Sequence, residues 1–152
     1  GFQEGVKDSA VVVAETKNGD VGKEVQAKLV EDLLQTHKDL DYLVGTAVMA
    51  EAAVPLLKAR KLDGKVKLVS VYMTPGVYQG LKSKNIEAAG SAPVVLTARI
   101  MLDSAVRVLE KKVEHADIGT LGQVYTQADI GTLQADTVLA PASFKPVLKL
   151  GK

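Results

Sequence analysis

The stretch Lys65–Lys82, K-V-K-L-V-S-V-Y-M-T-P-G-V-Y-Q-G-L-K, most constrains what this chain can fold into. Val66, Leu68, Val69 and Val71 form a short apolar, β-branched run flanked by lysine, the pattern of a buried strand. Thr74-Pro75 follows as a helix start, a hydroxyl to cap free N–H groups and a proline at the first helical position, where no N–H is needed. Tyr72 falls between strand and helix, at the carboxyl edge where open α/β sheets gather their ligands. A tyrosine there presents a π-face and a hydroxyl together and is a candidate ligand contact. The same ring can instead close the core and touch nothing else.

Upstream, Ala10–Ala14 (A-V-V-V-A) reads as a buried strand, and Lys17–Asp20 as a turn with Asp20 placed to cap a helix. Val21, Val25, Leu29, Leu33 and Leu34 recur at helical spacing and predict that helix's buried face, ending near His37. His37 suits the negative end of the helix macrodipole, a capping or surface role rather than a catalytic one. Tyr42–Val44 reads as a strand ending at Gly45-Thr46, with Thr46 capping the helix Ala47–Leu57. Pro55 predicts a kink or an irregular turn in that helix; Glu51 can face the crevice, but a solvated helix glutamate is the better reading.

After the helix Pro75–Lys82, Ile86–Ala89 reads as a weak strand leading to Gly90-Ser91-Ala92-Pro93. Pro93–Lys112 is a long helix whose apolar stripe is too broad for one packed side. Beyond it, Val124-Tyr125 reads as a strand, Ala128–Leu139 as a helix and Val147–Leu150 as a closing strand. Ala116–Leu121 and Ala128–Leu133 carry the same hexapeptide, A-D-I-G-T-L; two copies at this spacing make no solenoid. The order βαβαβα gives an α/β domain with a parallel sheet and right-handed crossovers.

Composition narrows the function. At 152 residues and 47% hydrophobic content there is room for one domain with a real core. A net charge of +1, with acids and bases interspersed, argues against a nucleic-acid footprint, and the apolar runs are too short for membrane insertion. With no cysteine there is no disulfide framework, and two histidines, His37 and His115, argue against a His-rich metal site. The opening Gly1–Lys7, with Phe2 and Val6 one helical turn apart, reads as the end of a helix that begins earlier in a longer protein.

No dinucleotide fingerprint, P-loop or nucleophile elbow is present, Ser91 has no nearby histidine, and Glu51, Asp63 and Asp103 are too separated to serve as an acid–base pair. Neither catalysis nor a cofactor is indicated. What remains is a crevice at the strand ends: Gly45-Thr46-Ala47, Tyr72-Met73-Thr74 and Gly90-Ser91. Its hydroxyls, single aromatic and helix-N-terminal N–H groups suit a small polar ligand, and the tyrosine face suits a quaternary ammonium group.

At these residues a resemblance emerges. Asp41–Ala53 (D-Y-L-V-G-T-A-V-M-A-E-A-A), Ser70–Lys82 (S-V-Y-M-T-P-G-V-Y-Q-G-L-K) and Ser143–Val147 (S-F-K-P-V) resemble the trimethylamine N-oxide-sensing branch of the type I periplasmic binding proteins. The resemblance covers most of the chain and is weakest from Val113 to Ala135. It implies a three-layer, Rossmann-like α/β lobe with helices on both faces of the sheet, residues 1–152 being mainly the C-terminal lobe of a two-lobed protein. It further implies a non-enzymatic periplasmic sensor for trimethylamine N-oxide, read by a membrane histidine kinase in two-component signalling.

Residue by residue, the resemblance carries the ligand role to Tyr72, then to Thr46 and Ala47. Where the family commonly presents Asp, Asn or Gln, this chain offers Ser91. Tyr78 lies inside the following helix and fits packing, and residues 93–112 are expected to rest on the first lobe. The alternative is a solute-binding protein of an ABC transporter for a sugar or similar metabolite. Such a site needs several carboxylates and amides, of which this crevice shows few.

Overall fold

In the computed structural model, which describes residues 1–113, 115 and 117–147, burial alternates along each parallel strand and places the core on one face of a sheet. A single helical turn, α1 (Phe2–Gly5), is followed by extended chain and then α2 (Lys23–Thr36). β1 (Tyr42–Gly45), α3 (Ala47–Ala59), β2 (Lys67–Ser70), α4 (Pro75–Lys82) and β3 (Ala88–Ser91) come next. After α5 (Val94–Leu109), β4 (Gln123–Thr126) joins the sheet, and a 3-10 turn (Ile130–Thr132) and α6 (Ala135–Val138) complete the described elements.

The strand order is β1-β2-β3-β4. β1, β2 and β3 run parallel, whereas β4 returns antiparallel to β3, with Ala89 opposite Tyr125 and Ser91 opposite Gln123. The expected α/β sheet is observed, mixed rather than wholly parallel because a strand at the sheet's edge can pair in either direction. Leu43, Leu68, Ser70, Ala89 and Ser91 point into the buried face, where they meet α3, α4 and the 3-10 turn. On the opposite face Tyr42, Val44 and Val124 are exposed.

Three helices end alike. The residues just past α3, α4 and α5 are Lys61, Lys84 and Lys111, with φ of 56, 59 and 57°. The amide after each reaches back five residues, as Leu62 to the Leu57 carbonyl, Asn85 to Gly80 and Lys112 to Arg107. This is the left-handed helix stop usually assigned to glycine.

Several expectations are corrected. Ala10–Ala14 is not a strand: it runs extended with Val11, Val12 and Val13 exposed, because β-branching favours a strand only where a partner edge exists. Asp20 does not cap α2, whose N-cap is Gly22; its Oδ1 accepts the Val21 amide instead. The buried face of α2 is Gln26, Val30 and Leu34, while Val21 and Val25 are exposed. Gln26 is admitted because its amide donates to the Asp20 carbonyl at 2.7 Å.

β2 stops at Ser70, short of Tyr72, and β3 begins at Ala88 rather than Ile86, whose side chain is buried in the core. α3 continues through Pro55 to Ala59. The helix expected over Ala128–Leu139 is broken into the 3-10 turn and α6. Val147 is outside any strand, and the rest of the expected closing strand, 148–150, lies outside the described residues.

Candidate ligand crevice at the strand ends

The carboxyl ends of β1, β2 and β3 lie side by side, so the residues that follow them form one rim. The Val71 amide donates to the Gly45 carbonyl at 2.9 Å, extending the β1–β2 pairing past Ser70. Gly90 packs beneath the Val71 carbonyl, and a Cβ there would stand 2.6 Å from that oxygen. Only glycine allows β3 this close at its end.

Two capped helices leave the rim. The Thr46 hydroxyl accepts the Met49 amide at 3.1 Å at the start of α3, and the Thr74 hydroxyl accepts the Val77 amide at 3.1 Å at the start of α4. Each thus satisfies an N–H that the helix cannot. Tyr72 stands two residues before Thr74 and keeps 41% of its surface exposed, so its ring does not close the core. Its carbonyl accepts the buried Ser70 hydroxyl at 2.8 Å, which fixes the backbone from which the ring projects.

Ala47 is fully buried and its side chain belongs to the core, so it can reach the crevice only through its backbone. Ser91 is 6% exposed, and its Oγ has no hydrogen-bond partner among the described residues. It lines a cavity of about 340 Å³ with Pro93, Leu96, Gln123, Tyr125 and Thr137. Tyr78, on α4, packs on the core, with the Lys82 ammonium 5.3 Å from its ring centre. Thr46, Tyr72 and Ser91 therefore share the sheet edge, Ser91 facing inward and Tyr72 outward.

One side chain leaves the solvated helix face that its place in the sequence favours. Glu51 crosses from α3 to the start of α4, where its carboxylate accepts the Thr74 hydroxyl at 2.5 Å. A Cβ at Gly76 would collide with that carboxylate. The signal was Gly76 itself, which acquires meaning only once α3 and α4 are known to pack together. Among the described residues no cluster of three or more His, Asp or Glu side chains is placed to hold a metal ion, and no helix is long and apolar enough to cross a membrane.

This sheet, with capped helices leaving its carboxyl edge, has the α/β fold of the periplasmic binding proteins it matches. An ABC transporter solute-binding protein from Bradyrhizobium sp. BTAi1, solved with bound Bis-Tris, matches 97% of this chain at a TM-score of 0.90 and 49% identity. The particular resemblance is to Periplasmic protein TorT of Escherichia coli K12, which is 29% identical over 147 residues. Structures of the TorS sensor domain–TorT complex, one without ligand and one in the presence of TMAO, match at a TM-score of 0.87 and 28% identity.

In each case 97% of this chain is matched, but it spans only 42% of the curated TorT and 44% and 50% of the solved chains. No protein-family model matches. These relatives are solute-binding and sensor-partner proteins, a class that binds rather than catalyses.

Proposed function

We propose that this chain is chiefly the C-terminal lobe of a two-lobed periplasmic sensor that binds trimethylamine N-oxide and signals to the periplasmic domain of a membrane histidine kinase. The observation that carries this reading is Tyr72, exposed two residues past the end of β2 and just before the capped start of α4, within the stretch that resembles TorT. The TorS–TorT structures support the partner class, and the one solved in the presence of TMAO supports the choice of ligand. Bis-Tris, bound by the Bradyrhizobium relative, is a tertiary amine, so both molecules carry a nitrogen with three carbon substituents. Thr46 and the backbone at Ala47 supply polar contacts beside Tyr72, and Ser91 supplies its unpartnered hydroxyl from within.

In this reading α5 packs on the first lobe. None of its residues is buried by the rest of the chain, although most are apolar. Closing two lobes on a ligand then changes the surface offered to the kinase, to the extent that the ligand prefers the closed state.

The second reading, transport-type solute binding, is favoured by the 49% identical ABC transporter relative. The crevice does not suit a sugar, which needs several side-chain amides and carboxylates around its hydroxyls. Calorimetry on the two-lobed protein separates the readings. Trimethylamine N-oxide binds, ribose does not, and Tyr72→Ala abolishes binding while the folded-state circular dichroism is retained. Ribose binding, or an unaffected Tyr72→Ala protein, would overturn the sensor reading.

A further inference from the structure

Glu51 stands on the second turn of α3, yet its carboxylate is fixed at the first turn of α4. One oxygen, Oε1, accepts the Thr74 hydroxyl, and that same hydroxyl caps the Val77 amide. Gly76 leaves the space the carboxylate fills. The side chain remains exposed, and among the described residues Glu51 makes no ion pair. An ordinary surface glutamate keeps its rotamer freedom; this one gives it up to hold its charge at the start of α4. Tyr72 is two residues from Thr74, a Cα separation of at most about 7 Å. A π-face and a fixed carboxylate thus share one rim, and both attract a positively charged nitrogen.

We propose that Glu51 is a specificity-determining residue of the crevice, the charge partner of a ligand nitrogen whose alkyl groups rest on the Tyr72 ring. This rests on the sensor reading for the identity of the ligand but not for its charge. The Thr74 hydroxyl and the space above Gly76 hold the carboxylate at the start of α4, and Oε2 has no hydrogen-bond partner among the described residues. The site therefore selects substituted ammonium and N-oxide compounds over neutral sugars of the same size.

The test uses the two-lobed protein, with trimethylamine N-oxide and tetramethylammonium chloride as probes, each titrated at low and high salt. Glu51→Gln keeps an acceptor for the Thr74 hydroxyl and removes only the charge. Its melting temperature should match the wild type, its tetramethylammonium affinity should fall about fivefold at low salt, and the salt dependence should vanish. Gly76→Ala, which pushes the carboxylate off the rim without removing it, should give the same loss.

Wild-type affinity and salt dependence in Glu51→Gln, or a wild type that takes neither probe, would overturn the inference. A wild type that binds tetramethylammonium but not the N-oxide, with Glu51→Gln weakened, would overturn the sensor reading and uphold the role of Glu51.

Discussion

Asp129 shows how single residues hold the margin of this sheet. Its Oδ1 accepts both the Thr126 amide, at 2.5 Å, and the Thr126 hydroxyl, at 2.8 Å, closing the turn after β4. The Thr126 amide is the main cause of a carboxyl pKa below its usual 3.8, with the Thr126 hydroxyl second. Glu15 is likewise lowered from 4.5, first by its hydrogen bond to His37, whose Nε2 lies 2.8 Å away. A depressed folded-state pKa means that the contribution is complete above the unfolded value and drains away as pH falls through the folded one. The urea midpoint should therefore fall on acidification below these two values, and Asp129→Asn should flatten the lower part of that curve. A glycine sets a sterner limit. A Cβ on Gly90 would press on a backbone oxygen that cannot rotate away, so Gly90→Ala should cost about 1–3 kcal/mol, read by urea denaturation.

At the scale of elements, the left-handed lysines make a prediction of opposite sign. Lys84 is exposed and closes α4 at φ 59°, a conformation that penalises any Cβ. Lys84→Gly should raise stability by about 0.5–1 kcal/mol, measurable as a higher urea midpoint. The units legible in the sequence were those whose signals are local. Thr46 and Thr74 with Pro75 announced the starts of α3 and α4, and with them the rim; whether Tyr72 faces out or closes the core is settled only by the structure. What stayed hidden depends on partners elsewhere in the chain. Val11–Val13 has strand chemistry but no paired edge, and the buried face of α2 turned on an amide bonding to a loop carbonyl. The repeated A-D-I-G-T-L makes the same point. Leu121 of the first copy is 90% exposed, whereas Ile130 and Leu133 of the second are buried in the core. Identical letters follow α5 in one case and β4 in the other, and only β4 delivers them to the sheet. The anchoring of Glu51 was invisible for the same reason: it joins residues 23 positions apart.

For the molecule as a whole, the informative surface is the one the chain does not cover. α5 carries a single charged stripe, Arg99, Asp103 and Arg107 at four-residue intervals, with Asp103 and Arg107 paired at 2.7 Å. Around the rest of the helix, Met101, Leu102, Val108 and Leu109 are at least 60% exposed. A helix apolar over most of its circumference is built to be buried on more than one side, and exposed apolar area of this extent drives association. If α5 packs on a first lobe, the 152-residue chain alone should self-associate, with a sedimentation mass that rises above 16.1 kDa with concentration. Leu102→Glu combined with Leu109→Lys should return it to a monomer without lowering its melting temperature, since neither side chain contributes to the core. In the two-lobed protein the same pair should instead be destabilising, because there the charges would be forced into a dry interface. A monomeric wild-type chain, or a two-lobed protein indifferent to the pair, would place α5 in solvent and remove the reason for setting a lobe against it.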